Sequence, residues 1–418
     1  MRKILIVGAG HAGLHLAHGL LTHGYDVTVI TGQSSLEIRT GRPSISQFTF
    51  PTALEYERKF NLDFWSALSP QIREQKLFMY MGGAPVATLS GSSHPGNGYT
   101  VSVDRRVKMA DWLEFFEDRG GKVVIHGVTV TDLDYFSRMF DLIVVAVGHG
   151  ELGQLFANDT SRFSGTRPRS IAQAYIYDVW PDPNESENIG WAAVTQEAGN
   201  IIFIPALSQE GPCHSLLMVD KKGSPMDAWP DRPGPEEQLR RMKDLTRKYA
   251  PEFFDRVRDA ELVDGRSTLV EDLTPQVRNP VGTLPSGGKV LGMADVVVTM
   301  DPFVGQTWNN STRCAEAYLE GILAHEDRPF DEDFMVSAFE SFWRFGQDNQ
   351  MWAEFASTMW EADLPDYLQN VMGAASQYRE IADRWIQGWD CPSDYKSWLF
   401  DPEEAQKYIA EVVARHGG

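Results

Sequence analysis

Residues Gly8-Ala9-Gly10-His11-Ala12-Gly13 spell Gly-x-Gly-x-x-Gly, and their chemistry is the holding of a pyrophosphate. Gly8 permits a tight turn, and Gly10 has no side chain to keep a phosphate from the backbone. Gly13 lets the following helix lie close to the strand before it. The elements that must position them are present. Ile4-Leu5-Ile6-Val7 reads as a buried strand, and the helix that follows puts Leu14, Ala17 and Leu21 on one face. Its N-terminus, with unpaired N–H groups and a positive dipole end, faces the phosphates. A bound dinucleotide follows, with Gly8, Gly10, His11, Ala12 and Gly13 as its contacts. The second strand, Val27–Ile30, ends at Thr31 where an acidic ribose partner is expected about 20 residues after the glycines. A hydroxyl still reaches a ribose, so Thr31 argues against NAD more than against dinucleotides in general.

Three other patterns could carry chemistry. His11, His15 and His18 share a helix face at i, i+4 and i+7, the spacing of metal ligands. His11 belongs to the phosphate turn and no carboxylate or cysteine stands nearby to complete a shell, so the expectation is no metal and a solvated or partly packed face. Asp141–Val147 reads as a second buried strand, followed by Gly148-His149-Gly150-Glu151-Leu152-Gly153. No βαβ unit follows within roughly 30 residues. The expectation is a strand returning beside the first site, with Gly148 in its turn, rather than a second site for NAD(P)H. Six of the twelve tryptophans (Trp343, Trp352, Trp360, Trp385, Trp389 and Trp398) lie near the carboxy terminus. Core packing is the expected role, with an aromatic lid or a reductase-docking surface as the other reading. No Gly-x-Ser-x-Gly elbow or Ser-His-Asp order presents itself.

The third cofactor segment is Lys289–Asp295, a strand ending in an acid, followed by Asp301-Pro302-Phe303-Val304-Gly305-Gln306-Thr307-Trp308-Asn309-Asn310 and a helix. An acid at a strand's carboxyl end sits where an open α/β sheet places its ligand. This segment resembles the Gly-Asp motif of flavoprotein monooxygenases, and within them Asp-Pro-x-x-Gly-Gln-x-x-Asn resembles the styrene and indole monooxygenases. Val103-Asp104-Arg105-Arg106-Val107-Lys108 is similar to their Asp-x-Arg-Val-Lys run, and Glu37–Arg42 and Ala53–Arg58 fit the same pattern. The resemblance runs from Met1 to at least Leu323. It is departed from in three places. Thr307 and Trp308 follow Gln306 where the family has Gly-Gln-Gly, Arg105 stands where Gln is expected, and Ile45-Ser46-Gln47-Phe48-Thr49 keeps only the second Ser and the Gln of the indole branch.

The resemblance implies the fold: a discontinuous Rossmann-like FAD domain (residues 1–43, 98–155 and 284–325), an antiparallel substrate domain (44–97 and 156–283) and a helical carboxy-terminal region (326–418). It implies reduced FAD supplied by a separate NAD(P)H-dependent flavin reductase, with O₂ as co-substrate. A small aromatic alkene, indole- or styrene-like, would be epoxidised through a flavin C4a-hydroperoxide. The implied cofactor contacts add Thr31, Arg42, Arg106, Gly148, Asp295, Pro302, Gly305 and Gln306. Gln306, Asn309 and Asn310 are the positioning set, because epoxidation needs no obligatory acid or base. Ser44, Ile45, Ser46, Gln47, Phe48, Thr49, Phe50 and Trp308 form the expected substrate pocket. The alternation of Ile45–Phe50 suggests a strand, broken between Gln47 and Phe48. The alternatives are a single-component NAD(P)H-dependent hydroxylase, a flavin-dependent dehydrogenase or halogenase, and a non-catalytic FAD-binding protein.

Composition bounds these readings. The chain has 418 residues, 42% hydrophobic and 23% charged, as in an ordinary globular enzyme. A formal charge of −20 makes nucleic acid a poor partner. Cys213, Cys314 and Cys391 form no disulfide framework, which suits a reducing cytoplasm. No apolar run approaches the roughly 20 residues that span a bilayer. Oligomeric state is left open, a homodimer included. Strand-like runs at Ile171–Tyr177, Gly190–Thr195, Asn200–Pro205 and His214–Asp220 suggest an antiparallel sheet, followed by a helix at Glu236–Tyr249 started by Pro235.

Overall fold

The computed structural model describes residues 2–46, 48–96, 98–148, 151–165, 167–177, 179, 188–359 and 364–417. Its strands are β1 (Lys3–Val7), β2 (Asp26–Thr31), β3 (Glu74–Met81), β4 (Ala84–Ser92), β5 (Lys122–Ile125), β6 (Leu142–Val145), β7 (Arg169–Tyr177) and β8 (Ile189–Thr195). There follow β9 (Gly199–Ser208), β10 (Gly211–Lys221), β11 (Glu261–Leu262), β12 (Thr268–Leu273), β13 (Gln276–Val277), β14 (Val281–Thr283), β15 (Lys289–Gly292) and β16 (Val298–Thr299). The helices are α1 (His11–Thr22), α2 (Ser35–Thr40), α3 (Pro51–Lys59), α4 (Arg105–Asp118), α5 (Val130–Phe136) and α6 (Pro235–Tyr249). They continue with α7 (Pro251–Val257), α8 (Thr307–Ala324), α9 (Glu332–Thr358), α10 (Asp366–Gln377), α11 (Arg379–Gln387) and α12 (Pro402–Arg415).

The first sheet has the order β14-β15-β6-β1-β2-β5, so it is assembled from three separated stretches of chain. Every pair is parallel except β14 with β15. Ile4–Val7 and Leu142–Val145 are buried on both faces, which explains their unbroken apolar runs. Gly8 has φ +116°, and a Cβ there would sit 2.4 Å from the Ala146 carbonyl oxygen. A Cβ on Gly13 would lie 2.3 Å from the Gly8 oxygen. Both positions need glycine, so the turn holds β1, β6 and α1 at contact distance.

The second sheet, ordered β11-β7-β10-β9-β8-β3-β4 with β12 also on β7, is antiparallel except between β3 and β8. Its four expected strands are present with ends moved by a few residues. The β3–β4 hairpin is an addition, turned by Gly82 and Gly83 at φ +59° and +75°. α6 starts at Pro235, with Glu236 and Glu237 in its first turn and Arg247 and Lys248 in its last, matching the dipole at both ends. α10 and α11 pack on β4, and the carboxy-terminal helices enclose a core of their own around Trp385 and Trp398.

The expected strand at Ile45–Phe50 does not form among its described residues, Ile45, Ser46 and Phe48–Phe50. Thr49 makes a single antiparallel bridge to Val101. Side chains supply the pairing a neighbouring strand would give: Asn309 Nδ2 donates to the Phe48 oxygen and its Oδ1 accepts from the Phe50 N–H, both at 2.9 Å. The Ser46 N–H donates to Gln173 Oε1.

Candidate active site

A crevice of about 480 Å³ opens beyond the carboxyl ends of β1, β2, β6 and β15, the expected ligand position in an open α/β sheet. Gly8, Gly10, His11 and Ala12 line it, and Gly13 lies outside that lining, where α1 meets the strand. A Cβ on Gly10 would meet only Arg105 Nη2 at 3.4 Å and the Ala146 oxygen at 3.9 Å. The glycine is there for space on the crevice side, not to avoid a clash within the chain.

Two consecutive arginines divide the work. Arg106 lines the crevice, but its guanidinium is committed to Asp104 at 2.7 Å and Asp264 at 3.1 Å. Asp104 also caps α4 by accepting from the Arg106 N–H. Its burial raises its pKa, against the pull of Arg106. Arg105 makes no hydrogen bond or salt bridge among the described residues and stands over Gly10. Burial pulls its guanidinium below the usual range, and Asp295 then Glu271 act on it in the other direction. A partly buried cation with open donors beside a helix N-terminus suits a pyrophosphate.

Asp295 faces the same crevice from a single 3-10 turn after β15. Ala294 before it has φ +52°, a left-handed conformation that aims the carboxylate inward. Thr31 also lines the crevice, and its hydroxyl accepts from the Gln33 N–H at 3.3 Å. Arg42 stands exposed at the crevice wall and Gly148 at the end of β6, while His149 and Gly150 fall outside the described residues. Beyond the sequence expectations, Arg105, Glu271, Thr307 and Ser311 contribute to the lining.

The three histidines are packed rather than solvated, at 6%, 0% and 0% exposure. Each ring is held: His11 Nε2 to Thr312 Oγ1 at 2.7 Å, His15 Nε2 to Glu316 at 2.8 Å, and His18 Nε2 to the Trp112 oxygen at 2.9 Å. Among the described residues, no group of three or more His, Cys, Asp or Glu is arranged to hold a metal ion. Trp308 stacks on His11 at 5.3 Å and lines the crevice instead of the substrate cavity. Behind both, the Lys108 ammonium sits 5.0 Å from the Trp112 ring and 5.3 Å from Trp308.

A second, almost wholly apolar cavity of about 70 Å³ lies against the antiparallel sheet. Two segments pass from it to the crevice. Ser44 and Ile45 face the crevice while Ser46 and Phe48 face the cavity. Likewise Phe303, Val304 and Gly305 face the cavity and Thr307, Trp308 and Ser311 the crevice. Thr49 and Phe50 line neither; Phe50 is buried and stacks on Phe48 at 6.1 Å. Gln47 falls outside the described residues. Of the carboxy-terminal tryptophans, Trp352, Trp385 and Trp389 line the cavity; Trp360 is outside the described residues.

The expected positioning residues have structural partners. Asn309 holds the Phe48–Phe50 main chain, and Gln306 Nε2 donates to the Trp389 oxygen at 2.8 Å. Asn310 is buried, with Oδ1 unpartnered among the described residues. Pro302 and Gln306 lie in the wall of neither space and Gly305 belongs to the cavity. Asp301 pairs with buried Arg169 at 2.6 Å and caps the turn beginning at Pro302, which fixes the loop between the two spaces.

This parallel sheet with its Gly-x-Gly-x-x-Gly crevice, beside an antiparallel sheet, has the Rossmann-like fold of the flavoproteins. Its fold is similar to that of a flavoprotein/dehydrogenase from Cytophaga hutchinsonii (TM-score 0.69, 16% identity, 99% of this chain and 100% of that one). It is also similar to p-nitrophenol 4-monooxygenase PnpA from Pseudomonas putida (TM-score 0.65, 12% identity, 93% and 98%). Residues 148–256 match the family model described as the styrene monooxygenase A putative substrate binding domain. Styrene monooxygenase StyA of Pseudomonas fluorescens is 28% identical over 99% of this chain and 98% of that protein. This full-length similarity and the match over residues 148–256 support a place in the styrene monooxygenase family, and make the chain a flavin-dependent monooxygenase-type oxidoreductase.

Proposed function

We propose that the chain is the oxygenase component of a two-component system, epoxidising a small apolar aromatic alkene with reduced FAD delivered by a separate flavin reductase. The observation that carries this reading is the pairing of a polar dinucleotide crevice with an apolar cavity through two shared segments. The residues fit FAD: the space over Gly10 and the open Arg105 guanidinium suit the pyrophosphate, and Asp295 and Thr31 suit hydroxyls of the cofactor. Reduced FAD with O₂ supplies one oxygen atom to the alkene, the other leaving as water with the two flavin electrons and two protons. The chain's part is to bind, orient and keep water out. Phe48, Ile202, Ile204 and Leu217 give the substrate flat apolar walls without a cation to hold a carboxylate. Asn309 fixes Phe48, and Asp301 with Arg169 fixes the Phe303–Gly305 turn opposite. Among the described residues, Ser46 is the one hydroxyl lining the cavity, and it is shared with Ser215.

No described helix is long and apolar enough to cross a membrane, and the three cysteines are free, both in keeping with the cytoplasm. The test is product analysis. With FAD, O₂, NADH and an added flavin reductase, styrene is converted to its epoxide, and without the reductase the protein oxidises neither NADH nor NADPH. Substrate-stimulated NADPH oxidation by the protein alone would overturn the two-component reading. Turnover confined to phenols or carboxylates would overturn the alkene.

A further inference from the structure

The apolar cavity is small for the substrate class just proposed, and its walls are unequal. A cavity of about 150 Å³ accepts benzene; this one measures about 70 Å³, so even a single ring enters only if a wall gives way. Ile202, Ile204 and Leu217 sit on β9 and β10, each paired on both sides within the sheet. Trp352 and Trp385 are 4% and 0% exposed inside the carboxy-terminal core, Trp352 against Tyr395 and Trp385 against Trp398. Trp389 differs. It lies just beyond the end of α11 and, unlike Trp352 and Trp385, is partly exposed.

Its main chain is nonetheless held fast from the cofactor side. The Trp389 oxygen accepts from Gln306 Nε2, one residue before α8 begins. The next residue, Asp390, accepts from the Thr52 N–H at 3.0 Å and hydroxyl at 2.9 Å, and its carbonyl accepts from Arg313 at 3.0 Å. The indole is held by packing alone: Nε1, like that of Trp352 and Trp385, has no hydrogen-bond partner among the described residues, and of the three rings only that of Trp389 is partly exposed. A fixed backbone with a partly exposed ring is a wall that can turn by its own rotamer while the helices stay still.

From this we infer that Trp389 gauges the substrate cavity, admitting a single six-membered ring with its alkene and rejecting fused bicycles, and that Gln306 positions it. The inference rests on the proposed alkene epoxidation for its substrate class, but the gauge itself is tested by binding alone. In the FAD-loaded protein, calorimetry compares ethylbenzene with 2-ethylnaphthalene, neither of which carries an alkene. Wild type binds ethylbenzene about tenfold or more tightly than the bicycle. Trp389→Ala removes or reverses that preference, Trp389→Phe (which keeps an aromatic wall and guards against misfolding) falls between, and Gln306→Leu shifts it in the same direction. With a reductase present, the kcat/KM ratio of 2-vinylnaphthalene to styrene rises in the same order, mostly through KM. Equal binding of both ligands by wild type, or a preference unmoved in Trp389→Phe and Trp389→Ala alike, overturns the gauge. Selective binding of ethylbenzene without any epoxide from styrene overturns the proposed reaction and leaves the gauge standing.

Discussion

Glu57 and Lys108 form an ion pair in which each side chain is 1% exposed, placed behind the histidine of the cofactor turn. Burial raises the Glu57 pKa, and Lys108 opposes that rise. Removing one partner leaves the other charge buried and alone. Lys108→Met should therefore destabilise by about 3–5 kcal/mol, whereas Glu57→Met with Lys108→Met should recover most of it. Denaturant unfolding of the two single variants and the double variant measures the difference. A Lys108→Met protein as stable as wild type would mean the pair has no net coupling.

The two neighbouring arginines should separate cleanly. Arg105→Gln should weaken FAD about ten- to a hundredfold, the loss of one or two charge-assisted hydrogen bonds, with little change in melting temperature. Arg106→Gln strands buried Asp104 and should cost about 3–5 kcal/mol of stability. Flavin-fluorescence titration beside thermal melts reads both. A stability loss in Arg105→Gln with unchanged FAD affinity would reverse the assignment.

Gly10→Val should keep the fold and lose FAD, because the chain itself leaves room there and the ligand does not. Asp295→Ala should weaken FAD about ten- to a hundredfold if its carboxylate accepts a cofactor hydroxyl. An unchanged dissociation constant would leave Asp295 with a purely structural role.

Acid should destabilise through histidines packed into the fold. Burial pushes His18 down to about 3 and His214 down to about 4, and holds His11 well below its ordinary 6.5. In the unfolded chain these rings take protons near pH 6.5 that the folded chain refuses. Their contribution to stability is thus complete above that pH and is lost as pH falls toward the folded values. The slope is about 1.4 kcal/mol per pH unit for each histidine. His214→Phe keeps the stack on Trp191. It should lower the acid slope between pH 6 and pH 4 by one histidine's worth, measured as unfolding free energy against pH.

Much of the fold could be read from the sequence because local signals and global role agreed. The β1–α1 turn, the buried β6 run and the largely apolar runs of β7–β10 each carry their pattern within a few residues. The β3–β4 hairpin escaped, although Gly82-Gly83 between extended runs is a turn signal. The site was harder. Ile45–Phe50 alternates like a strand, yet the partners of its described residues are the side chains of Asn309 and Gln173, far along the chain. Trp308 stands one helical step from the cavity-facing turn and points into the crevice. No local pattern distinguishes these outcomes, since each depends on which distant side chain arrives. Arg105 was visible only as an unexpected residue at its position; that its neighbour's charge is spent on Asp104 and Asp264 could be seen only in three dimensions.

The three-part assembly of the parallel sheet has a consequence for biosynthesis. β6 ends at Val145 and its outer neighbour β15 begins at Lys289, 144 positions later. At about 5–20 residues per second, roughly 7–30 s of translation separates them. Throughout that interval Leu142–Val145 presents an apolar edge on the nascent chain, exposed to chaperones and to other polysomes. The crevice is completed only when Ser311 emerges from the ribosome. Flavin capture should accordingly be a late event in the birth of this protein, and truncated chains ending before α8 should fail to retain the yellow cofactor however well their second sheet has formed.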